Sequence, residues 1–101
     1  MIFLIFEFTG SNMIDNGLLF FYAYWSSNCN IQLDALKKIE KDNPDLQILK
    51  INTTKYRISK DKYQIHKIPT FIIINDNKII SRMDGYKDRI SLSNWVKKYR
   101  S

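Results

Sequence analysis

Phe20-Phe21-Tyr22-Ala23-Tyr24-Trp25-Ser26-Ser27-Asn28-Cys29 opens as an apolar run and closes on a tryptophan, a polar turn and a cysteine. From about Cys29 to Lys41 the pattern becomes that of an amphipathic helix: Ile31, Ala35 and Ile39 recur, with Leu33 and Leu36 beside them. A strand apolar on both faces therefore runs into a helix N-terminus. Ser26 or Ser27 supplies the N-cap hydroxyl. Free N–H groups and the positive end of the helix dipole meet at such a join, which favours anions and low-pKa nucleophiles.

Working outward, Ile2 to Phe8 reads as a buried strand, Thr9 to Asn12 as a turn, and Met13 to Asn16 as a short helix ended by Asn16-Gly17. Leu18 to Tyr24 is the central strand. Asn43-Pro44-Asp45 stops the helix that follows. Leu46 to Ile51 is a third strand, and a short helix is expected near Ser59 to Tyr63. Phe71 to Ile74 and Lys78 to Met83 pair across an Asn75-Asp76-Asn77 hairpin turn. Asp88 caps a last helix carrying Leu92, Trp95, Val96 and Tyr99. The expected order is β-α-β-α-β-α-β-β-α over one domain spanning residues 1–101. The fold class is α/β, a central mixed sheet of four to five strands flanked by helices.

Trp25-Ser26-Ser27-Asn28-Cys29 resembles the Trp-Cys-x-x-Cys motif of the thioredoxin family, with Ser in place of the first Cys. Ile68-Pro69-Thr70 resembles that family's cis-proline loop, and Gly85 the glycine bordering its substrate groove. The resemblance runs from about Ile2 to Tyr99 and implies a thioredoxin-like fold. It also implies thiol–disulfide exchange, in which the first cysteine attacks a disulfide and the second resolves the mixed disulfide. Ser26 stands at the nucleophile's position and Cys29 at the resolving one. A hydroxyl is not ionised near neutral pH and forms no exchangeable S–S bond. The buried acid common in the family falls at Phe20, which relays no proton. Lys50 resembles the lysine beside that acid and is expected to reach solvent. Asp34 stands where the family often has a helix proline, which implies a straighter helix. Trp25, Ile68, Pro69, Gly85 and Tyr86 are the expected walls of an apolar groove for an extended peptide.

The expected function is a peptide- or thiol-binding module without dithiol–disulfide turnover. The alternative is a disulfide oxidoreductase in which Ser26 replaces a cysteine of the natural gene, which the natural codon decides. The partner is a protein or peptide in the groove beside Trp25 and Pro69, with glutathione as a further candidate.

One cysteine precludes an intramolecular disulfide, and one Cys with one His falls short of a zinc ligand set. No metal or cofactor is expected. His66 reads as a solvent-facing loop residue, with no carboxylate placed by the sequence to orient it for hydrolysis. The net charge of +6 reads as a dispersed, solvated lysine population, so no specific nucleic-acid partner is expected. The apolar opening lacks a basic leader and cleavage site, and no run is long enough to span a bilayer, so a cytoplasmic protein without membrane contact is expected. The Asn52-Thr53-Thr54 sequon is then idle.

Overall fold

The computed structural model describes residues 5–100. Its elements are β1 (Ile5–Glu7), β2 (Gly17–Tyr22), α1 (Ser27–Asp42), β3 (Ile48–Asn52), α2 (Arg57–Lys62), β4 (Thr70–Asn75), β5 (Lys78–Asp84) and α3 (Arg89–Tyr99). The five strands form one sheet in the order β1-β3-β2-β4-β5. β1 and β2 both run parallel to β3, whereas β4 pairs antiparallel with β2 and with β5. The α/β class and the mixed sheet flanked by helices are thus as expected. The antiparallel part includes the central β2–β4 ladder as well as the edge hairpin.

β2 is buried at every position because both faces are covered. Leu18, Phe20 and Tyr22 point to the core shared with α1 and α3, which contains Leu36, Ile39, Leu92, Trp95 and Val96. Leu19 and Phe21 point to a second core with Leu49, Ile51, Ile65, Ile72 and Ile74, closed by Tyr56 and Tyr63. Alternate side chains of one strand thereby hold the two layers together. Phe20 sits in an aromatic stack, 5.5 Å from Tyr22 and 5.4 Å from Phe71, with Trp95 edge-on to Phe71.

Several expectations change. β1 is a half-exposed edge strand, not a buried one, with Phe6 and Glu7 facing water. Residues 2–4 of the expected strand lie outside the described residues. Met13 to Asn16 forms no helix. Asn12 instead bridges Thr9 N–H and the Glu7 carbonyl, replacing backbone turns with side-chain bonds. The same loop then holds the β4–β5 turn: Asp76 N–H donates to Asn16 Oδ1 and Asn77 N–H to the Asp15 carbonyl. Asp76 and Asn77 have φ of 51° and 65°, a left-handed pair that these residue types tolerate. In α1, Ile31 is 56% exposed, and the buried stripe is Cys29, Gln32, Leu36 and Ile39. Lys50 does not simply reach solvent. Its place opposite Glu7 in the β1–β3 ladder puts Nζ 3.5 Å from Glu7 Oε1 and 5.6 Å from the Tyr22 ring centroid.

α3 starts at Asp88, whose carboxylate accepts from the Ser91 N–H and hydroxyl, both at 2.9 Å. These bonds hold the Asp88 carboxyl below the usual carboxylate range. At the other end Arg100 donates to Asn43 Oδ1 at 2.6 Å and pairs with Asp45 at 2.5 Å, which lowers the Asp45 carboxyl likewise. A carboxyl whose folded pKa is depressed stabilises the fold above its unfolded pKa and stops doing so as pH falls through the folded value. Thermal melts are therefore expected to be flat above about pH 5 and to fall below about pH 4. Asp88→Asn, which still caps, should lessen that fall. An unchanged acid slope in the variant would exclude the cap carboxylate as a cause.

Candidate functional site

The join between β2 and α1 is built by backbone economy. Ser26 N–H donates to the Ala23 carbonyl at 3.2 Å, and the Ser26 Oγ accepts from Cys29 N–H at 3.4 Å. Ser26 is therefore the N-cap of α1, with extended φ and ψ. Its hydroxyl answers one of the free N–H groups that would otherwise face a ligand. Cys29, in the first turn, points inward and is 2% exposed among the α1–α3 core residues.

Trp25, by contrast, is 75% exposed, and its Nε1 donates to Thr54 Oγ1 at 3.3 Å. The end of β3 is brought there by Thr53, whose N–H and hydroxyl both donate to the Tyr22 carbonyl. Asn52 Oδ1 accepts from the N–H groups of Thr54 and Lys55, so the sequon asparagine is used to turn the chain.

The Ile68–Pro69 peptide is cis. Ile68 is partly buried and touches both cores. The Pro69 carbonyl accepts from Gly85 N–H at 2.7 Å, which joins the proline loop to the end of β5. Gly85 has φ of 84° with nothing near its absent Cβ, so backbone conformation and not crowding calls for glycine. Thr70 Oγ1 donates to the Lys67 carbonyl at 2.6 Å and steadies the same loop.

A cleft of about 580 Å³ has Trp25 and Ile68 among its walls, with Thr54, Ile65, His66 and the cations Arg57, Lys60 and Lys67. Of the expected groove residues, Trp25 and Ile68 line this cleft. Pro69 and Gly85, joined by their hydrogen bond, do not line it. Tyr86, exposed beyond Gly85, does not line it, and neither do Ser26 and Cys29. His66 is exposed, as expected of a loop residue, but it also forms part of the cleft.

Two features escaped the sequence reading. Gln32 is fully buried, and its side chain clasps Lys87: Nε2 donates to the Lys87 carbonyl at 2.7 Å and Oε1 accepts from Lys87 N–H at 2.9 Å. It fastens the loop after Gly85 to α1. Gln32→Leu is expected to cost about 1–3 kcal/mol, since two backbone groups lose their partners. The Lys87 amide should then exchange faster with solvent; retained protection would refute this role. The second feature is the cation wall itself, contributed by α2 and the loop after it.

The side of β2 nearest β1 holds another polar group. Tyr22 donates to Glu7, and the Tyr24 hydroxyl lies 3.3 Å from that of Tyr22. Burial and the Glu7 bond keep the Tyr22 phenol well above its usual range, so it remains a donor. Among the described residues no three of His, Cys, Asp and Glu come together as metal ligands, and no helix is long and apolar enough to cross a membrane.

The family model described as Thioredoxin matches residues 8–98. The chain is 38% identical over 69 residues to the chloroplastic thioredoxin Y of Oryza sativa subsp. japonica, a match covering 67% of this chain and 41% of that protein. It is 29% identical over 90 residues to a thioredoxin of Chlamydia pneumoniae, covering 87% of this chain and 88% of that one. Its match spans about two fifths of the length of the plant relatives. Among solved structures, thioredoxin NaTrxh from Nicotiana alata superposes with a TM-score of 0.86 at 18% identity, covering 97% of this chain and 94% of that one. That likeness shows the fold.

Proposed function

The chain belongs to the thioredoxin family, and from that premise we propose that it is a thioredoxin-type redox protein that binds peptides or thiols without turning over disulfides. The observation that carries this reading is Ser26 at the cap of α1, with its oxygen on Cys29 N–H, where an attacking sulfur would stand. Exchange begins when a thiolate attacks one sulfur of a disulfide, forming a mixed disulfide and releasing the other sulfur as thiolate. Cys29 is the chain's one thiol. Were it exposed by local opening and caught in a mixed disulfide, no second thiol in the chain would resolve that bond. What remains is a binding surface: Trp25 and Ile68 on an open cleft, beside the Pro69 loop.

Insulin reduction with dithiothreitol tests the reading. The natural chain is expected to precipitate insulin no faster than dithiothreitol alone, and turnover like that of an ordinary thioredoxin would overturn it. A peptide partner for the cleft and a cytoplasmic setting, where a lone thiol stays reduced, are part of the same proposal.

A further inference from the structure

The net charge of +6 is not spread evenly over the folded surface. Residues 55–67 hold five cations, Lys55, Arg57, Lys60, Lys62 and Lys67, against Asp61 alone. Among the described residues the ion pairs join Lys50 to Glu7, Arg82 to Asp84 and Arg100 to Asp45, so none neutralises this segment. Lys55 and Lys62 rest over the rings of Tyr56 and Tyr63 on one side of α2. Arg57, Lys60 and Lys67, with His66, line the cleft that holds Trp25 and Ile68. Apolar Trp25 and Ile68 and a wall in which Arg57, Lys60 and Lys67 outnumber Asp61 thus share one opening of about 580 Å³, the size of a site for a short peptide segment.

We propose that the occupant of this cleft is an acidic peptide segment. One apolar or aromatic side chain packs on Trp25 and Ile68, and flanking Asp or Glu carboxylates meet Arg57, Lys60 and Lys67. The proposal rests on the peptide-binding reading and adds the charge of the partner. A nucleic acid fits less well. The cleft has one large exposed ring for stacking, and Asp61 lies in its wall, whereas single-strand binders line a groove with several rings. Carboxylates meeting Lys and Arg across a partly exposed cleft steer association and set partner preference, and salt weakens them.

The test uses three synthetic peptides that share one central Phe and differ in flanking residues: Glu, Gln or Lys. Binding to the natural chain is measured by fluorescence anisotropy at low and physiological salt. Reduced glutathione serves as competitor, and a single-stranded oligonucleotide of the same charge as the Glu peptide is titrated in parallel. The Glu peptide is expected to bind about tenfold more tightly than the Gln peptide at low salt. Added salt should narrow that gap. Lys60→Glu/Lys67→Glu, at two exposed positions, should reverse the preference towards the Lys peptide, and Trp25→Ala should weaken every peptide. Equal binding of the Glu and Gln peptides would overturn the acidic partner and leave peptide binding standing. No binding of any peptide would overturn both. Tighter binding of the oligonucleotide, or displacement of the Glu peptide by glutathione at equal concentration, would assign the cleft to that ligand instead.

Discussion

Ser26→Cys is expected to give a chain that reduces insulin on the order of 100-fold faster than the chain with Ser26, the scale of supplying a catalytic group. The position is prepared for sulfur in two respects. It is the N-cap of α1, where a thiolate is stabilised by free N–H groups and the helix dipole. It also stands three residues before Cys29, to which the proposed reading gives the resolving position. Losing the serine cap costs about 1 kcal/mol, and the fold should survive it. The gain should fall short of a full thioredoxin, because Phe20 lies in an aromatic stack at the position where the resemblance implies a proton-relaying acid. Thiol titration before and after oxidation reports whether the new pair closes. A variant that forms its disulfide and still leaves insulin intact would refute the proposal that the want of a thiol at position 26 is what prevents turnover.

Gly17→Ala carries the largest expected loss of stability. Gly17 has φ of 141°, and a Cβ there would lie 2.4 Å from the Gln47 carbonyl oxygen and 2.9 Å from Ile14 Cδ1. The first obstacle is backbone: Leu18 N–H donates to that same Gln47 carbonyl at 2.9 Å, tying the start of β2 to the approach of β3. Strain and overpacking together are expected to cost about 3 kcal/mol or more, a fall in Tm of more than about 10 °C for a chain of this size. Gly85→Ala is the control. It bears the left-handed φ penalty alone, since nothing lies within 4 Å of its Cβ, so it should cost about 1 kcal/mol. Equal melting shifts for the two variants would show that the contact with Gln47 is not what demands glycine at position 17.

These two glycines also show how far the one-dimensional reading reached. Asn16-Gly17 reads as a helix end, because a glycine after a polar residue commonly caps one. The structure uses Gly17 inside a sheet, where β3 passes too close for a side chain. The resemblance gives Gly85 as the glycine bordering a groove, and in the fold its N–H donates to the Pro69 carbonyl. Its chemistry is local, a φ that glycine adopts freely, and local chemistry is legible in sequence. The same division holds in α1. Periodicity and a cap at Ser26 or Ser27 place the helix, and Leu33, Ala35, Leu36 and Ile39 do face the core, but Ile31 is exposed and Gln32 takes an inside position. Hydropathy ranks Ile31 above Gln32, whereas the fold buries Gln32 because the Lys87 backbone offers it two partners.

Sequence alone determined the apolar β2 run, the capped helix after it, the proline loop and the single thiol, since each is a matter of residue type and near-neighbour spacing. Tertiary structure decided three other things: which face of α1 is inside, that Lys50 meets Glu7, and that the cations of residues 55–67 stand on one cleft with Trp25 and Ile68. Those outcomes depend on which strands lie side by side and on what covers each sheet face. A contiguous run of charges becomes one wall of a cleft only when packing sets its element beside Trp25 and Ile68.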